Sequence, residues 1–212
     1  YDKMGQVFLW RSEKTMWWNR MIFGFDSYHV ILWFLTYSIL GWVVESIYMS
    51  ICNKKLTNRG FATGPFCPIY GVGALTVFFA LRPYSNNGLL LFVLGSLLAT
   101  TIEFLTAVIM KRVFGEIWWD YNEKPFNYKG VLCLESSIAW GFYTLFLFMF
   151  LQRLVEGVVS RIPIQAGKIA GSALLILFTI DFLHSLYVEK KEDIPECVWE
   201  MKDTLVEKIL RS

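Results

Sequence analysis

The sequence has little of what metal-dependent and nucleotide-binding proteins need. It contains only two histidines and four cysteines among its 212 residues, and no two cysteines form a CxxC pair. A zinc or haem site is therefore not expected. The GxxxxGK[ST] loop that binds ATP in the Walker manner is absent, and so is the GxSxG motif of many hydrolases. A net charge of +2 gives no electrostatic basis for nucleic-acid binding. We expect no cofactor, no metal and no nucleic-acid partner.

Charged residues are also scarce, at 18%, whereas hydrophobic residues make up 55% and the mean hydropathy is +0.44. A soluble domain of this size has too little interior to bury so much apolar surface. Five apolar stretches approach the roughly 20 residues that a helix needs to cross a bilayer: residues 28–51, 66–81, 89–110, 131–151 and 169–188. The sequence therefore predicts an all-α membrane protein, a polytopic helical bundle of about five transmembrane helices.

The regions flanking these stretches divide the chain into three parts: an interfacial N-terminal segment (1–27), a transmembrane bundle (28–188) and a polar C-terminal tail (189–212). The N-terminal segment mixes tryptophans with basic residues, which is typical of a helix at the lipid headgroups, although docking on the bundle gives the same pattern. In the tail, apolar residues recur every three or four positions. This spacing predicts an amphipathic helix that contacts lipid, another subunit or the bundle.

Loop charges predict the orientation of the chain. With five spans, its two ends lie on opposite sides of the membrane. The side with the tail and with the loops after the first and third spans carries more Lys and Arg than the other side. Because such loops tend to stay in the cytoplasm, we expect a multi-pass protein of the cell membrane with a cytoplasmic C-terminus, although the basic N-terminal segment argues the other way.

Four acidic residues lie inside the apolar stretches: Glu45, Glu103, Glu135 and Asp181. At a rise of about 1.5 Å per residue, each lies roughly 6–10 Å from the same membrane face. An ionisable group at this depth costs several kcal/mol unless it faces protein or water, so each is a candidate functional residue. Either each carboxylate clamps a neighbouring helix separately, or together they line a polar cavity open to one side. The shared depth favours the cavity.

Two loops above this layer, residues 53–71 and 111–130, mix Gly, Pro, aromatic and charged residues. Irregular chain is tolerated at membrane depth where it lines or caps a cavity, so we expect re-entrant or capping loops. Arg59 is the natural partner of a carboxylate or an anion, because its planar guanidinium can bond bidentately, and Asp120 can pair with it. The candidate binding residues are Glu45, Arg59, Glu103, Asp120, Tyr121, Asn127 and Glu135. No catalytic residue and no metal ligand is assigned.

The two loops and the helix ends beside them show a weak internal sequence repeat. In each half, a glutamate is followed by two basic residues, an asparagine, a glycine and a cysteine: Glu45, Lys54, Lys55, Asn58, Gly60 and Cys67, and then Glu103, Lys111, Arg112, Asn127, Gly130 and Cys133. The spacings differ, so chance is one explanation. The other is a pair of helix–loop–helix halves in parallel orientation, as in transporters built from repeats.

Four segments carry a resemblance to a known family: YSILGWVVES at residues 37–46, NRGFATGPFCPIYG at 58–71, TTIEF at 100–104 and WWDYNEKPFNYKGVLCLESSIAWG at 118–141. With these segments the chain resembles the CmpB-type family of ABC-transporter permeases, which are small multi-pass proteins with eukaryotic transmembrane relatives. The resemblance implies transport, a cytoplasmic coupling helix and a separate ATPase subunit. The fifth span lies outside these segments, so the resemblance implies nothing about Asp181 or His184.

Three functions remain open. The first is transport of a small solute or ion along a carboxylate-lined pathway, with protonation coupled to movement and with a homodimer or a separate ATPase subunit as partner. The second is an intramembrane enzyme acting on a lipid headgroup or lipid-linked substrate, although no obvious nucleophile is present. The third is an accessory or scaffold subunit of a membrane complex that docks through its tail. The sequence favours transport and a non-enzymatic role.

Overall fold

The computed structural model describes residues 17–58 and 63–192, with side chains described for 18–58 and 63–188. Within these ranges the chain forms five α-helices: α1 (Ser27–Asn53), α2 (Pro68–Leu81), α3 (Gly88–Phe114), α4 (Leu134–Val159) and α5 (Ile164–Glu192). Short 3₁₀ turns lie at Trp17–Asn19 and Arg82–Tyr84. Two small antiparallel ladders pair β1 (Met21–Ile22) with β2 (Phe25–Asp26) and β3 (Asn127–Tyr128) with β4 (Leu132–Cys133). The predicted all-α class is confirmed.

Four of the helices, α1, α3, α4 and α5, are long and apolar enough to cross a membrane. Helix α2 has 14 residues, so at a rise of 1.5 Å per residue it is only about 21 Å long, against roughly 30 Å for the hydrocarbon core. It begins at Pro68, slightly later than the predicted second span, because Cys67 is not helical and proline suits the first helical position. The chain is a multi-pass membrane protein with one short helix.

Helices α1 and α2 form the first hairpin. The backbone N–H of Cys67 donates to the carbonyl of Ser38 at 3.0 Å, and Gly71 packs against the side chain of Ser38. At the far end, the guanidinium of Arg82 lies 4.8 Å from the centre of the Phe25 ring. The hairpin is therefore antiparallel, and α2 follows α1 back to its first residues.

Helices α3 and α4 form the second hairpin, which is also antiparallel. Gly95 of α3 packs against Thr144 of α4, and Gly141 of α4 packs against Ser96 of α3. A Cβ atom at either glycine would overlap the facing side chain. Glycine therefore lets the two backbones approach closely, which brings polar side chains on the facing helices within reach of each other.

An aromatic core joins the two hairpins. Trp33 is fully buried, and its ring centre lies 5.0 Å from that of Phe25 and 5.8 Å from that of Phe78. The ring of Phe78 in turn lies 5.7 Å from that of Phe148 on α4. These tilted and edge-to-face ring contacts fix the hairpins to each other at the end opposite their connecting loops.

Helix α4 contains a π-helical turn at Leu147–Leu151. After this turn, Gln152 accepts a hydrogen bond from the buried hydroxyl of Tyr37 on α1, and Val155 and Val159 are almost fully buried. A π-helical turn changes the direction in which the following side chains point. The last part of α4 therefore packs on α1 instead of continuing along α3.

Helix α5 is the least buried of the four spanning helices. Only 6% of the residues in its most apolar stretch are buried. It packs on α1, and Gly171 lies close to Trp18, which is 4% exposed. This end of the N-terminal segment therefore docks on the bundle. Helix α5 extends past residue 189 to Glu192. Residues 1–16 of the predicted interfacial segment, and the predicted tail helix beyond residue 192, lie outside the described residues.

Candidate functional site

Glu103 on α3 is buried, at 7% exposed, and it is the only acidic residue of the described chain in that class. Its Oε1 accepts a hydrogen bond from the hydroxyl of Tyr121 at 3.0 Å, and its Oε2 accepts one from the indole N–H of Trp140 at 3.0 Å. The hydroxyl of Ser136 lies 3.4 Å from Oε2. Among the described residues, no Lys, Arg or His forms an ion pair with this carboxyl group. Neutral donors alone therefore hold it.

Three elements bring these groups together. Ser136 and Trp140 are four residues apart, so they share one face of α4. Glu103 meets that face from α3, because the contact at Gly141 lets the two helices approach closely. Tyr121 arrives from the loop between the helices and closes the site on the side of that loop. The site therefore depends on both helices and on the fold of the loop.

The hydroxyl of Ser136 has one proton and two acceptors within reach. Its oxygen lies 3.0 Å from the carbonyl of Cys133 and 3.4 Å from Oε2 of Glu103. When Ser136 donates to Cys133, the shorter contact, its oxygen can accept a hydrogen bond from a protonated Glu103. When Glu103 is charged, Tyr121 and Trp140 each satisfy one of its oxygens. The site has hydrogen-bond partners for both charge states of the carboxyl group.

The loop between α3 and α4 is folded on itself by hydrogen bonds. Asn127 donates to the carbonyls of Lys124 and Asn122 at 2.8 and 3.2 Å, and it accepts from the N–H of Gly130 at 3.2 Å. Gly130 has a φ of 70° and lies against Asn122, so a side chain there would be both strained and blocked. The N–H of Tyr121 donates to the carbonyl of Gly130 at 2.9 Å. Asn127 therefore holds the loop that presents Tyr121 to the carboxyl group.

Tyr121 acts on Glu103 as a hydrogen-bond donor. Burial raises the pKa of Tyr121 above its usual value of 10.0, and the negative charge of Glu103 and the hydrogen bond between them raise it further. The phenol therefore stays protonated throughout the physiological pH range. Its proton remains available to Oε1 of Glu103.

Glu45 on α1 is partly buried and faces the start of α2. The Tyr70 ring packs against Gly41, one helical turn before Glu45, and its phenol interacts with Glu45; Sγ of Cys67 lies 3.9 Å from Oε2 of Glu45. The ring centre of Tyr143 on α4 lies 5.7 Å from that of Trp140.

Glu135 and Asp120 lie exposed at the surface of the loop between α3 and α4. Glu135 lies in the first turn of α4 and forms an ion pair with Lys124 at 2.9 Å, with side chains 65% and 49% exposed, respectively. This pair raises the pKa of Lys124, first through the hydrogen bond and then through the charge of Glu135. Asp120 is exposed and accepts from the N–H of Asn122 at 2.8 Å, which forms a local turn. Arg59, the predicted partner of Asp120, lies outside the described residues.

Asp181 on α5 accepts a hydrogen bond from the backbone N–H of Gly64 at 2.9 Å. On the other side of this loop, the indole N–H of Trp42 donates to Asn58 at 2.6 Å, and the Asn58 amide donates to the carbonyl of Thr63 at 2.9 Å. Side chains of α1 and α5 therefore hold the first loop from two sides. Asp181 acts as a clamp between α5 and the loop backbone.

Sequence reasoning missed three donors to the two carboxyl groups: Tyr70, Ser136 and Trp140. A usable signal was present, since an aromatic residue with a polar hydrogen directly precedes a glycine in Tyr70–Gly71 and again in Trp140–Gly141. As to metals, the described part of the chain contains no group of three or more His, Cys, Asp or Glu residues placed to hold an ion.

Apolar helices packed through glycine, with a carboxyl group buried between two of them, define a multi-pass membrane protein. The family follows from a match of residues 32–186 to the family described as "Putative ABC-transporter type IV". The chain belongs to this family, which confirms the resemblance predicted from its four sequence segments. The match includes Asp181 and His184, so the inference that the fifth span lies outside the family pattern was wrong. No curated protein and no solved structure matches the chain.

Proposed function

We propose that the chain is the permease-like membrane subunit of a transporter for a small solute or ion, and that Glu103 takes up and releases a proton during transport. The family match and the four helices able to span a bilayer support the general role. One observation carries the specific role. The carboxyl group of Glu103 is buried, is held by neutral donors, and has no cationic partner in the described part of the chain.

The chemistry of this proposal rests on the cost of charge in a dry site. A buried carboxylate without a cation is expensive, and a proton or a cation that reaches it removes much of that cost. Tyr121 and Trp140 hold the carboxyl oxygens in place, and the Ser136 oxygen is near enough to accept a hydrogen bond from the neutral form. A group with partners in both states can change charge repeatedly without rearrangement of the helices.

The proposed partners follow from what the chain lacks. Its sequence has no Walker loop, so any energy from ATP must come through a separate ATPase subunit. Five helices are few for a complete pathway, so a second copy of the chain is the other proposed partner. We place this assembly in the cell membrane with the C-terminus in the cytoplasm, where an ATPase subunit would bind.

Flux measurements in proteoliposomes test this function. Purified chain, alone and with its co-purifying partners, is assayed across a panel of small cations, amines and anions, with an internal pH dye to follow protons. The wild type is compared with Glu103→Gln, which keeps the shape of the side chain but cannot change charge. The matched control is Glu123→Gln, an exposed position in the same loop as Tyr121.

The expected result is solute movement accompanied by protons in the wild type and in Glu123→Gln, with loss of both in Glu103→Gln. Equal flux in all three proteins would overturn the role of Glu103. Absence of flux for every class of solute, with or without partners, would overturn transport and leave the enzymatic and scaffold alternatives.

A further inference from the structure

The first helices of the two hairpins carry the same three side chains at the same spacing. The residues are Phe34, Ser38 and Glu45 in α1, and Phe92, Ser96 and Glu103 in α3. Each equivalent pair is 58 residues apart. The spacing within this set is identical in both helices, so the match is more regular than the weak repeat in the loops, whose spacings differ.

The second helices match as well, with 70 residues between equivalent positions. The pairs are Tyr70 and Trp140, Gly71 and Gly141, Leu75 and Leu145, and Phe78 and Phe148. The larger offset reflects both the longer loop of the second hairpin and the longer helix ends on either side of that loop. The two hairpins are therefore alike in both of their helices.

The matching residues make matching contacts. Gly71 packs against the serine and the phenylalanine of the α1 set, and Gly141 packs against the serine and the phenylalanine of the α3 set. The residue before each glycine then reaches the surroundings of the glutamate of its own hairpin: Tyr70 packs against Gly41, one turn from Glu45, and interacts with that carboxyl group, and Trp140 donates to Glu103 at 3.0 Å. The same helix contact thus places an aromatic side chain with a polar hydrogen beside a glutamate twice.

One of the contacts between the two halves joins equivalent residues. Phe78 and Phe148 are equivalent residues, and their ring centres are 5.7 Å apart. Contact between equivalent positions is what a two-fold relation produces near its axis. Parallel repeats in transporters are related by such an axis along the membrane normal.

This alignment of the second helices changes the residue pairs of the weak repeat predicted from the sequence. Helix α2 begins three residues before its glycine, at Pro68, whereas α4 begins seven residues before its own, at Leu134. The equivalent of Cys67 is therefore Ser137, and Cys133 lies directly before the additional first turn of α4.

We propose that the chain is a tandem repeat of one helical hairpin and that each copy holds its own carboxyl site, with Glu45 and Tyr70 in the first and Glu103 and Trp140 in the second. The chain then contains two separate proton-exchanging groups instead of one shared carboxylate cavity. The exchange of protons at these sites rests on the proposed function, whereas the repeat and the separateness of the sites do not.

Site-resolved labelling with a hydrophobic carbodiimide tests this proposal without knowledge of the solute. The reagent dicyclohexylcarbodiimide adds to protonated carboxyl groups, and mass spectrometry of the purified protein in lipid then gives the extent of labelling at each glutamate as a function of pH. The variants are Tyr70→Phe and Trp140→Phe, each of which removes one donor. Tyr187→Phe, an exposed position on α5, is the control.

Loss of a hydrogen bond disfavours the charged form of the carboxyl group that it served. We expect Tyr70→Phe to raise labelling of Glu45 by roughly tenfold with Glu103 unchanged, and Trp140→Phe to do the reverse, as loss of one hydrogen bond to a charged group predicts. Tyr187→Phe should change neither. Equal responses of both glutamates to either substitution would show one shared cavity and overturn the proposal, as would the absence of any response. Separate responses in a protein that transports nothing would overturn the proposed function and leave the two-site repeat standing.

Discussion

Glu103 and Glu135 lie on facing helices of one hairpin, yet their surroundings differ. Glu103 is 7% exposed and is held by Tyr121 and Trp140, both neutral. The side chain of Glu135 is 65% exposed and pairs with Lys124. An exposed pair is screened by water and contributes little, whereas a buried carboxyl without a cation changes its energy strongly when it gains or loses a proton. The partner of a carboxyl group, more than its depth along the helix, decides what it can do.

Replacing each glutamate in turn by alanine should show the difference between the two carboxyl groups most clearly. Glu103→Ala leaves Tyr121 and Trp140, both partly buried, without an acceptor, and a donor left unpaired away from water costs roughly 1–3 kcal/mol. We expect a loss of about 3 kcal/mol in unfolding free energy for Glu103→Ala and no measurable loss for Glu135→Ala. Thermal and denaturant unfolding of the purified variants in detergent measures both. Equal losses would mean that burial of Glu103 has no energetic consequence.

The packing that keeps Glu103 buried can be tested with two glycines of the same helix. A Cβ at Gly141 would overlap Phe92 and Ser96, whereas a Cβ at Gly157 meets nothing within 4 Å. We expect Gly141→Ala to cost about 1–3 kcal/mol through overpacking. Gly157→Ala should be neutral or stabilising by up to about 1 kcal/mol, because alanine favours a helix. Unfolding melts of the two variants decide, and a destabilised Gly157→Ala would contradict the account.

The contribution of Tyr121 to the unfolding free energy should depend on pH in the alkaline range. Because the folded protein raises its pKa above 10.0, the unfolded chain releases this proton first as pH rises. Stability from this residue is therefore fully present below pH 10 and is lost progressively above it. Tyr121→Phe should lose a hydrogen bond at neutral pH and show a shallower decline above pH 10 than the wild type. Unfolding transitions measured from pH 7 to 11 test this, and parallel curves for the two proteins would contradict it.

The smallest effect concerns the exposed pair. Lys124 has a raised pKa because Glu135 stabilises its charged form, so this contribution is present below pH 10.5 and fades as pH rises through the pKa of the folded state. Lys124→Met should leave stability and flux unchanged at neutral pH and in high salt. Melting curves at low and high salt check this. A large loss would assign the pair a role that its exposure does not support.

The sequence predicted the fold well because apolar length is a local property. The five stretches, their order and the all-α class follow from hydropathy alone, and the helices begin and end within a few residues of the predicted limits except at α4 and α5, which are longer. The start of α2 at Pro68 is also a local signal, because proline suits the first helical position. The π-helical turn at Leu147–Leu151 was not predictable in the same way, since it depends on packing between helices.

The candidate site was predicted only in part, because hydrogen-bond partners are set by the tertiary fold. Depth alone grouped Glu103 with Glu135, although the first is enclosed and the second faces the loop surface. Tyr121 was among the predicted residues, but its contact with Glu103 requires the turn that Asn127 and Gly130 build. The roles of these residues in binding stay predictions.

The account depends most on Glu103 being the buried group that changes charge, and infrared difference spectroscopy measures this directly. In reconstituted membranes, the carbonyl band of a protonated carboxyl group is followed as pH is lowered. We predict that Glu103→Gln abolishes one pH-dependent band of the wild type and that Glu135→Gln leaves that band intact. An unchanged band in Glu103→Gln would contradict the account.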